Sequence, residues 1–349
     1  FAFFGTPGGN RTHNSPLGGG CYIHLTTDAQ RFGIVAFSHA LVKRNKNTCL
    51  KLDIIGKLMY CNTCFMENDT KNIKLNIYVS AHKRVTIPPC PYLKLIQVGS
   101  ALASEMFEGM LKDNEGDNIS EKNRDYCELT AIYWAWKNDD ADYYGFFHYR
   151  RYLSFDGKKH RLPYILIKKS DAAHTKKLNL DGAKEFVSRY DIVLPYKENM
   201  HISAEDYYKE APGHSIEDLL LVKDIIKEDY PSYFKAAEEY LSGSEQFFSN
   251  VFVMKKELFN EYCTFLFDIL EKFDKRRTTV GPRADGFLAE RILGIWHLYK
   301  SRNLGIKTAY VQRADILEYF DASFKKKLIY ALFPPSTKLR ARVKKMLRG

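Results

Sequence analysis

Residues Asp113–Tyr152 read DNEGDNISEKNRDYCELTAIYWAWKNDDADYYGFFHYRRY, which contains the signals of a turn, a helix and a strand in succession. The triplet GDN at 116–118 is typical of a turn, and Ser120 with Asn123 predicts the cap of a helix from about residue 125 to 138. The core face of that helix is predicted from apolar residues at helical spacing, Leu129, Tyr133, Trp134 and Trp136. The many polar residues around this apolar face indicate a functional site.

The aromatic run Tyr143–Phe147 predicts a buried strand, and that strand ends in the sequence HYRRY at 148–152. Two arginines and a histidine at the end of a strand indicate an anionic ligand, because guanidinium groups bind phosphate as bidentate donors. Neighbouring side chains on a strand point to opposite faces. We therefore expect only one of Arg150 and Arg151 to reach a given ligand, and the other to be a surface or core ion-pair residue.

Composition indicates a soluble globular protein with a core. The chain has 349 residues, of which 45% are hydrophobic and 14% aromatic, and 53 Lys and Arg against 42 Asp and Glu give a net charge of +11. Nucleic acid, anionic lipid and a nucleotide-diphosphate substrate all fit this charge. The seven cysteines are scattered, and Cys61 and Cys64 lack a second pair at zinc-ribbon spacing. These features predict a cytoplasmic protein.

Three regions differ in character along the chain. Residues 1–72 are glycine-rich at the start and aperiodic, which predicts a disordered extension or spurious upstream translation. Residues 73–320 alternate predicted strands and helices, which favours an α/β domain with a central sheet. The basic tail, residues 321–349, has nine Lys or Arg in 324–349, with Leu339, Val343 and Leu347 at helical spacing. It predicts docking on an anionic membrane surface, with a solvated end or a nucleic-acid patch as alternatives.

The ordered region is predicted in more detail from hydrophobic periodicity. Strands are expected at 74–80, 92–99, 190–195 and 245–255. A helical hairpin is expected at 215–241, with Pro231 at the start of its second helix, and further helices at 183–188, 257–275 and 286–300.

Several catalytic signatures do not occur, namely GxGxxG, Walker A, HExxH and GxSxG. HYRRY stands at the end of the predicted central strand, where a metal-dependent nucleotide-sugar transferase holds its ion with an acidic DxD pair. Guanidinium groups can stabilise a departing diphosphate without a metal. The sequence thus predicts a metal-independent protein without a cofactor.

Long ordered motifs carry a resemblance to a known family. The matching runs are IYVSAHK at 77–83, VG at 98–99, GDNISEKN at 116–123, YCELTAIYWAWKN at 126–138, GFFHYRRY at 145–152, YDIVLP at 190–195, SNVFVMKKELFNEYCTFLFDIL at 249–270 and GFLAERILGIW at 286–296. Over about residues 73–310 the chain resembles a domain-of-unknown-function family found in bacterial capsule, exopolysaccharide and O-antigen gene clusters.

The resemblance implies a GT-A-like, Rossmann-like α/β fold with a mixed central sheet and a helical C-terminal part. It also implies an inverting glycosyltransferase that uses UDP-galactofuranose as donor, with a lipid-linked or oligosaccharide acceptor on a growing cell-surface polysaccharide. The chain departs from the family at Val251, where Met is usual, and at Asp285, where a hydrophobic residue is usual. The second departure argues against Asp285 as a family-wide catalytic base.

Site roles follow from the implied reaction, in which a carboxylate takes the acceptor proton. Glu290, expected in the first turn or so of a helix, is the first choice for this base and Asp117 the second. The alternative for Glu290 is a structural ion pair with Arg291 or a neighbouring helix. The residues expected to bind the donor nucleotide, diphosphate or sugar are His82, Lys83, Asp117, Asn118, Asn123, Glu128, His148, Arg150 and Arg151.

Within this set, Glu128 is expected to orient the arginines. The alternative for His82 and for His148 is a structural role, in the core or on the surface. Asn250 is expected to contact donor or acceptor. The alternative from another functional class is a nucleic-acid-binding protein, which would place exposed aromatics among basic residues. The preferred interpretation places the protein on the inner face of the cell membrane, with no nucleic-acid partner.

Overall fold

The structure is a computed structural model that describes residues 73–168, 177–279 and 281–317, together with Arg342. The chain divides into two units, Phe1–Tyr60 and Cys61–Gly349, and all described residues belong to the second. The predicted extension over 1–72, the Cys61 and Cys64 pair and, apart from Arg342, the basic tail lie outside the described residues.

The described strands are β1 Leu75–Ala81, β2 Leu93–Gln97, β3 Leu111–Lys112, β4 Tyr143–His148, β5 Arg151–Leu153, β6 Tyr164–Lys168, β7 Ile192–Pro195, β8 Glu198–Asn199, β9 Glu245–Gln246, β10 Phe252–Lys255, β11 Thr308–Val311 and β12 Arg313–Leu317. The described helices are α1 Asn123–Tyr126, α2 Leu129–Asn138, α3 Ala183–Val187, α4 Ala204–Glu210, α5 Ile216–Asp229, α6 Pro231–Ser242, α7 Lys256–Arg276 and α8 Ala284–Asn303.

The main sheet of the described region has the order β11-β7-β10-β4-β1-β2-β3, and β5, β12 and β6 extend from β4 as a branch. Neighbours along the main path are parallel, except that β10 is antiparallel to both β7 and β4. Helices α5 and α6 precede β10, and α7 and α8 lie between β10 and β11 in the chain. The predicted α/β fold with a mixed central sheet and a helical C-terminal part is confirmed. Because β1 and β4 are parallel, their carboxyl ends meet at one edge of the sheet.

β1 is buried on both faces, which explains why most of its residues are apolar. Its side chains alternate between two cores: Tyr78 packs with the helical side, and Ile77 and Val79 pack on the opposite face. The centre of the sheet is tight, since a Cβ at Gly145 of β4 would lie 2.8 Å from Cγ1 of Ile77 and 3.1 Å from Cγ2 of Val253. Only glycine fits there without a shift of these neighbouring side chains.

Two predicted elements are interrupted in the structure. The helix expected from about residue 125 is two helices, because Cys127 between α1 and α2 has a φ of 51°. Ser120 does not cap it: its hydroxyl donates to Asp113 Oδ1 within a buried turn. The strand expected at 245–255 is split into β9 and β10, because Ser249 and Asn250 adopt left-handed conformations.

The helical hairpin is confirmed as α5 and α6, with Pro231 as the first residue of α6. The two long helices expected after it are confirmed as α7 and α8. None of the described helices is long and apolar enough to cross a membrane.

Candidate active site

A cleft of about 310 Å³ opens at the carboxyl edge of β4. It lies between the end of that strand, the break before α2, the first turns of α8 and the segment that follows α4. The lining residues are Cys127, Glu128, His148, Arg150, Arg151, Tyr207, Ala211, His214, Phe248, Arg283, Gly286, Phe287, Glu290 and Arg291.

HYRRY forms a turn at this edge instead of a continuous strand. His148 ends β4, Tyr149 and Arg150 form the turn, and Arg151 begins β5 opposite His148. The turn removes the strict alternation of side chains along a strand. Both arginines therefore line the cleft. The expectation that only one of them reaches a given ligand stays a prediction.

His148 is a neutral group in this cleft at neutral pH. Burial and the positive charges of Arg151 and Arg150 lower the pKa of its imidazole to about 3. Its Nδ1 lies 3.3 Å from the backbone N–H of Arg150 and accepts that hydrogen bond. The ring proton is accordingly on Nε2, which makes His148 a neutral hydrogen-bond donor.

Three arginines of the cleft form no ion pair with a carboxylate of the described residues. Arg150, Arg151 and Arg283 do not occur among the ion pairs found in the described part of the chain. Arg283 precedes α8 with a φ of 69°, and its guanidinium lies 5.3 Å from the ring centre of Phe287. Such a cluster favours an anionic ligand.

Two carboxylates face this positive cluster, and their hydrogen bonds differ. Glu128 Oε1 accepts from Asn250 Nδ2 at 2.9 Å. Glu290 accepts at both oxygens, from the backbone N–H of Ser249 at 2.6 Å and from Arg291 Nη1 at 2.8 Å. The ion pair with Arg291, the alternative considered from the sequence for Glu290, is thus present. Glu290 lies in the second turn of α8, which begins at Ala284.

Burial raises the pKa of the Glu128 carboxyl, and the negative charge of Glu290 adds to that effect. The hydrogen bond from Asn250 and the charge of Arg151 act in the opposite direction. Glu128 therefore holds its proton to a higher pH than an ordinary glutamate.

A strained two-residue turn contacts both carboxylates. Ser249 and Asn250 have φ values of 83° and 47°, a region that residues with a side chain rarely adopt. Asn250 Nδ2 also donates to the carbonyl of Gly286 at 3.0 Å, so the turn joins the break before α2 to the start of α8. Such strain costs on the order of 1–3 kcal/mol per residue and is concentrated at functional sites.

Part of the cleft lining is aromatic. The His214 ring stacks on Phe287 with centroids 4.0 Å apart, and Tyr207 meets Phe248 edge to face at 5.7 Å. Sequence reasoning did not single out these residues. Phe287 had a usable signal, since it stands in the motif GFLAERIL, whereas Tyr207 and His214 lie in a segment without a motif.

Arg291 lies beneath this aromatic side and is 2% exposed. Its Nη1 donates to the carbonyl of Phe287 as well as to Glu290, and its guanidinium lies 4.9 Å from the ring centre of Tyr208. The buried guanidinium holds Glu290 against the wall of the cleft.

Of the predicted donor residues, His82 and Lys83 lie beside the cleft and not in its lining. Both contact Tyr149: the His82 ring is 5.6 Å from the tyrosine ring, and Lys83 Nζ is 5.2 Å from its centre. His82 also lies close enough to His148 to contribute to its lowered pKa. Asn250 lies behind the lining, 3% exposed.

Three other predicted residues do not line the cleft. The exposed Asp117 accepts a hydrogen bond from the Tyr133 hydroxyl at 3.2 Å. Asn118 Nδ2 donates to the carbonyl of Gly116 at 2.8 Å. Asn123 Nδ2 donates to the carbonyl of Cys127 at 2.6 Å, which supports the break between α1 and α2. Each of these contacts is local and structural.

A second cluster of acids lies under the start of α8. Asp285 is fully buried, and burial together with the charge of Asp274 raises its pKa to about 7. Arg277 contacts Asp285 at 3.5 Å, Asp125 at 3.0 Å and Asp274 at 3.4 Å, so one guanidinium serves three carboxylates. Among the described residues, no group of three or more His, Cys, Asp or Glu has a metal-binding arrangement. Metal independence of the protein stays a prediction.

Comparison with known proteins yields two matches. The sequence profile of a family described as a domain of unknown function, DUF4422, matches residues 76–301. The apo structure of WbbM, described as a bifunctional glycosyltransferase, is 30% identical with a TM-score of 0.66. The match covers 72% of this chain and 48% of that one, so the chain spans about half of WbbM. The predicted GT-A-like fold is confirmed. None of the curated proteins compared matches the chain.

Proposed function

The chain belongs to the DUF4422 family, and we propose that it is a glycosyltransferase that moves a sugar from a nucleotide-diphosphate donor to a glycan acceptor. The similarity to a bifunctional glycosyltransferase over 72% of the chain supports this class of reaction.

The cluster of Arg150, Arg151 and Arg283 carries the proposal. A nucleoside diphosphate gains negative charge as its bond to the sugar breaks, and unpaired guanidinium groups in a cleft stabilise that charge. Neutral His148 adds an Nε2–H donor that needs no counter-ion. The proposed site requires no metal, and the arginines take the role that a divalent ion has in other transferases.

The aromatic part of the cleft lining suits the acceptor. Tyr207, Phe248 and Phe287 present partly exposed rings, and the C–H faces of sugar rings pack on such surfaces. Donor and acceptor would then meet between the arginines and the aromatic rings, where the Glu128 and Glu290 carboxylates lie.

The finer identity of the substrates is proposed from the family resemblance. The donor is UDP-galactofuranose, transfer occurs with inversion, and the acceptor is a lipid-linked or oligosaccharide intermediate of a capsule, exopolysaccharide or O-antigen. The basic tail attaches the protein to the anionic inner face of the membrane that presents such acceptors.

The described residues give little support to the alternative function, nucleic-acid binding. Sequence-tolerant binding of single strands needs aromatic rings exposed for stacking among basic residues. Tyr310, at 40% exposure, is the only aromatic residue with a large exposed fraction in the described part of the chain. One exposed ring does not make a stacking platform.

Release of nucleotide from a panel of nucleotide sugars tests the proposal. Purified protein is incubated with UDP-galactofuranose, UDP-galactopyranose, UDP-glucose and GDP-mannose, and free nucleotide is measured with the Arg151→Ala variant as control. We expect donor-dependent release that is greatest for UDP-galactofuranose and nearly lost in the variant. Equal background rates for both proteins with every donor would exclude the proposed reaction.

A further inference from the structure

The two carboxylates of the cleft are not equivalent as proton acceptors. Glu290 accepts at Oε1 from the Ser249 N–H at 2.6 Å and at Oε2 from Arg291 at 2.8 Å. A guanidinium and a short backbone hydrogen bond thus occupy both oxygens of this carboxylate. These contacts tie Glu290 to the wall of the cleft.

Glu128 has a different environment. Its carboxylate accepts hydrogen bonds from neutral groups, the side-chain amide of Asn250 at 2.9 Å and the backbone N–H of Glu128 itself. Arg151 is near enough to affect its charge but forms no ion pair with it among the described residues. A partly buried carboxylate with a neutral donor gains more from protonation than one bound to a guanidinium.

We infer that Glu128 is the general base of the transfer, and that Glu290, the choice made from the sequence, is a positioning residue. This inference rests on the proposed function. Glu128 lines the cleft at the residue before α2, on the side of the arginines, and Asn250 fixes the orientation of its carboxylate.

The proposed step balances as a single displacement. The acceptor hydroxyl oxygen forms a bond to the anomeric carbon while its proton passes to a Glu128 carboxylate oxygen. The bond from the anomeric carbon to the diphosphate oxygen breaks, and its electron pair leaves with the nucleotide. Arg150, Arg151 and Arg283 stabilise the charge that develops there.

Glu290 acts through its neighbours in this scheme. Its carboxylate keeps Arg291 neutralised under the aromatic side and anchors the backbone of Ser249. Ser249 precedes Asn250, so the same turn that Glu290 holds places the amide that orients Glu128.

The rate of the proposed transfer step should fall as the pH is lowered. Cys127, His148, Arg151, Arg283 and Glu290 are charged or titratable groups that line the cleft around Glu128. Burial and Glu290 raise the Glu128 pKa, so the base is lost by protonation as the pH falls through that raised value. The rate should fall on the acid side because of Glu128, while His148 stays neutral until its pKa of about 3 is approached.

The test compares Glu128→Gln with the matched variant Glu290→Gln, using UDP-galactofuranose as donor and water as acceptor. We expect Glu128→Gln to lower kcat by about 10²–10⁴-fold, the usual contribution of a general base. UDP alone, measured by calorimetry, should bind to this variant within about twofold of wild type. The remaining rate of this variant should show no acid limb, that is, no fall of the rate at acid pH.

Glu290→Gln should give the opposite pattern. The glutamine has no charge to pair with the buried guanidinium, and its single oxygen can accept only one of the two hydrogen bonds. We therefore expect weaker UDP binding and a lower Tm, while the fall of the rate at acid pH persists. Formate should restore part of the rate of Glu128→Ala and none of the rate of Glu290→Ala, which provides a readout that a structural role does not give.

The outcomes separate the inference from the proposed function. If the wild-type protein releases no nucleotide from any donor of the panel, the proposed function is wrong, and so is the assignment of Glu128 as its base. An active wild type with near-normal kcat and an intact acid limb in Glu128→Gln overturns the inference alone. Rescue of Glu290→Ala by formate would return the role of base to Glu290.

Discussion

Asn250 Nδ2 donates a hydrogen bond to Glu128 Oε1 at 2.9 Å, although the two residues are 122 positions apart in the sequence. The bond connects the strained turn before β10 to the break before α2. Both interruptions of regular structure thus serve the same wall of the cleft.

Replacing Asn250 by Asp should make stability depend on pH. A second carboxylate would face Glu128, so the Tm deficit should be large at pH 8 and shrink as the pH falls and one of the pair takes up a proton. Asn250→Ala removes the same hydrogen bond without adding charge and should cost about 1–3 kcal/mol with less pH dependence. Thermal denaturation of both variants from pH 5 to 8 measures this, and parallel curves would contradict it.

Replacing Arg150 or Arg151 by Ala should lower turnover by about a hundredfold or more in each case, because each removes a preorganised donor from the diphosphate site. Arg189→Ala is the control: this exposed arginine lies over Phe186, away from the cleft lining. Steady-state nucleotide release checks the prediction. If both variants are folded and keep near-normal rates, HYRRY is not part of the active site.

Asp285→Asn should stabilise the protein at alkaline pH. The folded-state pKa of about 7 lies above the usual value near 4, so the folded protein binds the proton more tightly and loses stability as the pH rises from about 4 to 7. The amide removes this loss, and each 1 kcal/mol gained corresponds to about 2–4 °C in Tm for a domain of this size. The Tm difference from wild type should be present at pH 8 and absent at pH 4.

The control for Asp285 is Asp224→Asn on the exposed face of α5. It should leave the pH dependence of Tm unchanged. If Asp285→Asn lowers Tm at pH 8, then the ionised form contributes favourably through Arg277, and the raised pKa is contradicted.

Activity should survive excess EDTA, because the guanidinium cluster is proposed to neutralise the leaving diphosphate. The measurement is nucleotide release with and without chelator, followed by addition of Mn²⁺. Loss of turnover in EDTA and its recovery with Mn²⁺ would show that a metal performs the role assigned to the arginines.

The full chain should sediment with anionic vesicles at low salt and be released as salt rises, since the tail combines nine cationic residues in 324–349 with an apolar stripe. A chain ending at Ser323 should remain in the supernatant and still turn over its donor. Neutral phosphatidylcholine vesicles are the control. Undiminished binding of the shortened chain would place any membrane contact elsewhere.

The sequence by itself determined the class of fold and the position of the central strands. Aromatic and β-branched runs such as Tyr143–Phe147 are local signals, and burial on both faces of a sheet makes them apolar throughout. The sequence also identified five residues that line the cleft, Glu128, His148, Arg150, Arg151 and Glu290, because each stands in a motif with dense polar chemistry.

Only the tertiary structure decided which of these residues share a cleft and what each is bonded to. The pairing of Glu290 with Arg291 and Ser249, and of Glu128 with Asn250, depends on contacts between α8, the turn before β10 and the break before α2. The left-handed residues at 127, 249 and 250 carry no glycine signal, so their breaks could not be predicted from local preference. Protonation likewise follows burial and neighbouring charge, which arise when distant segments pack together.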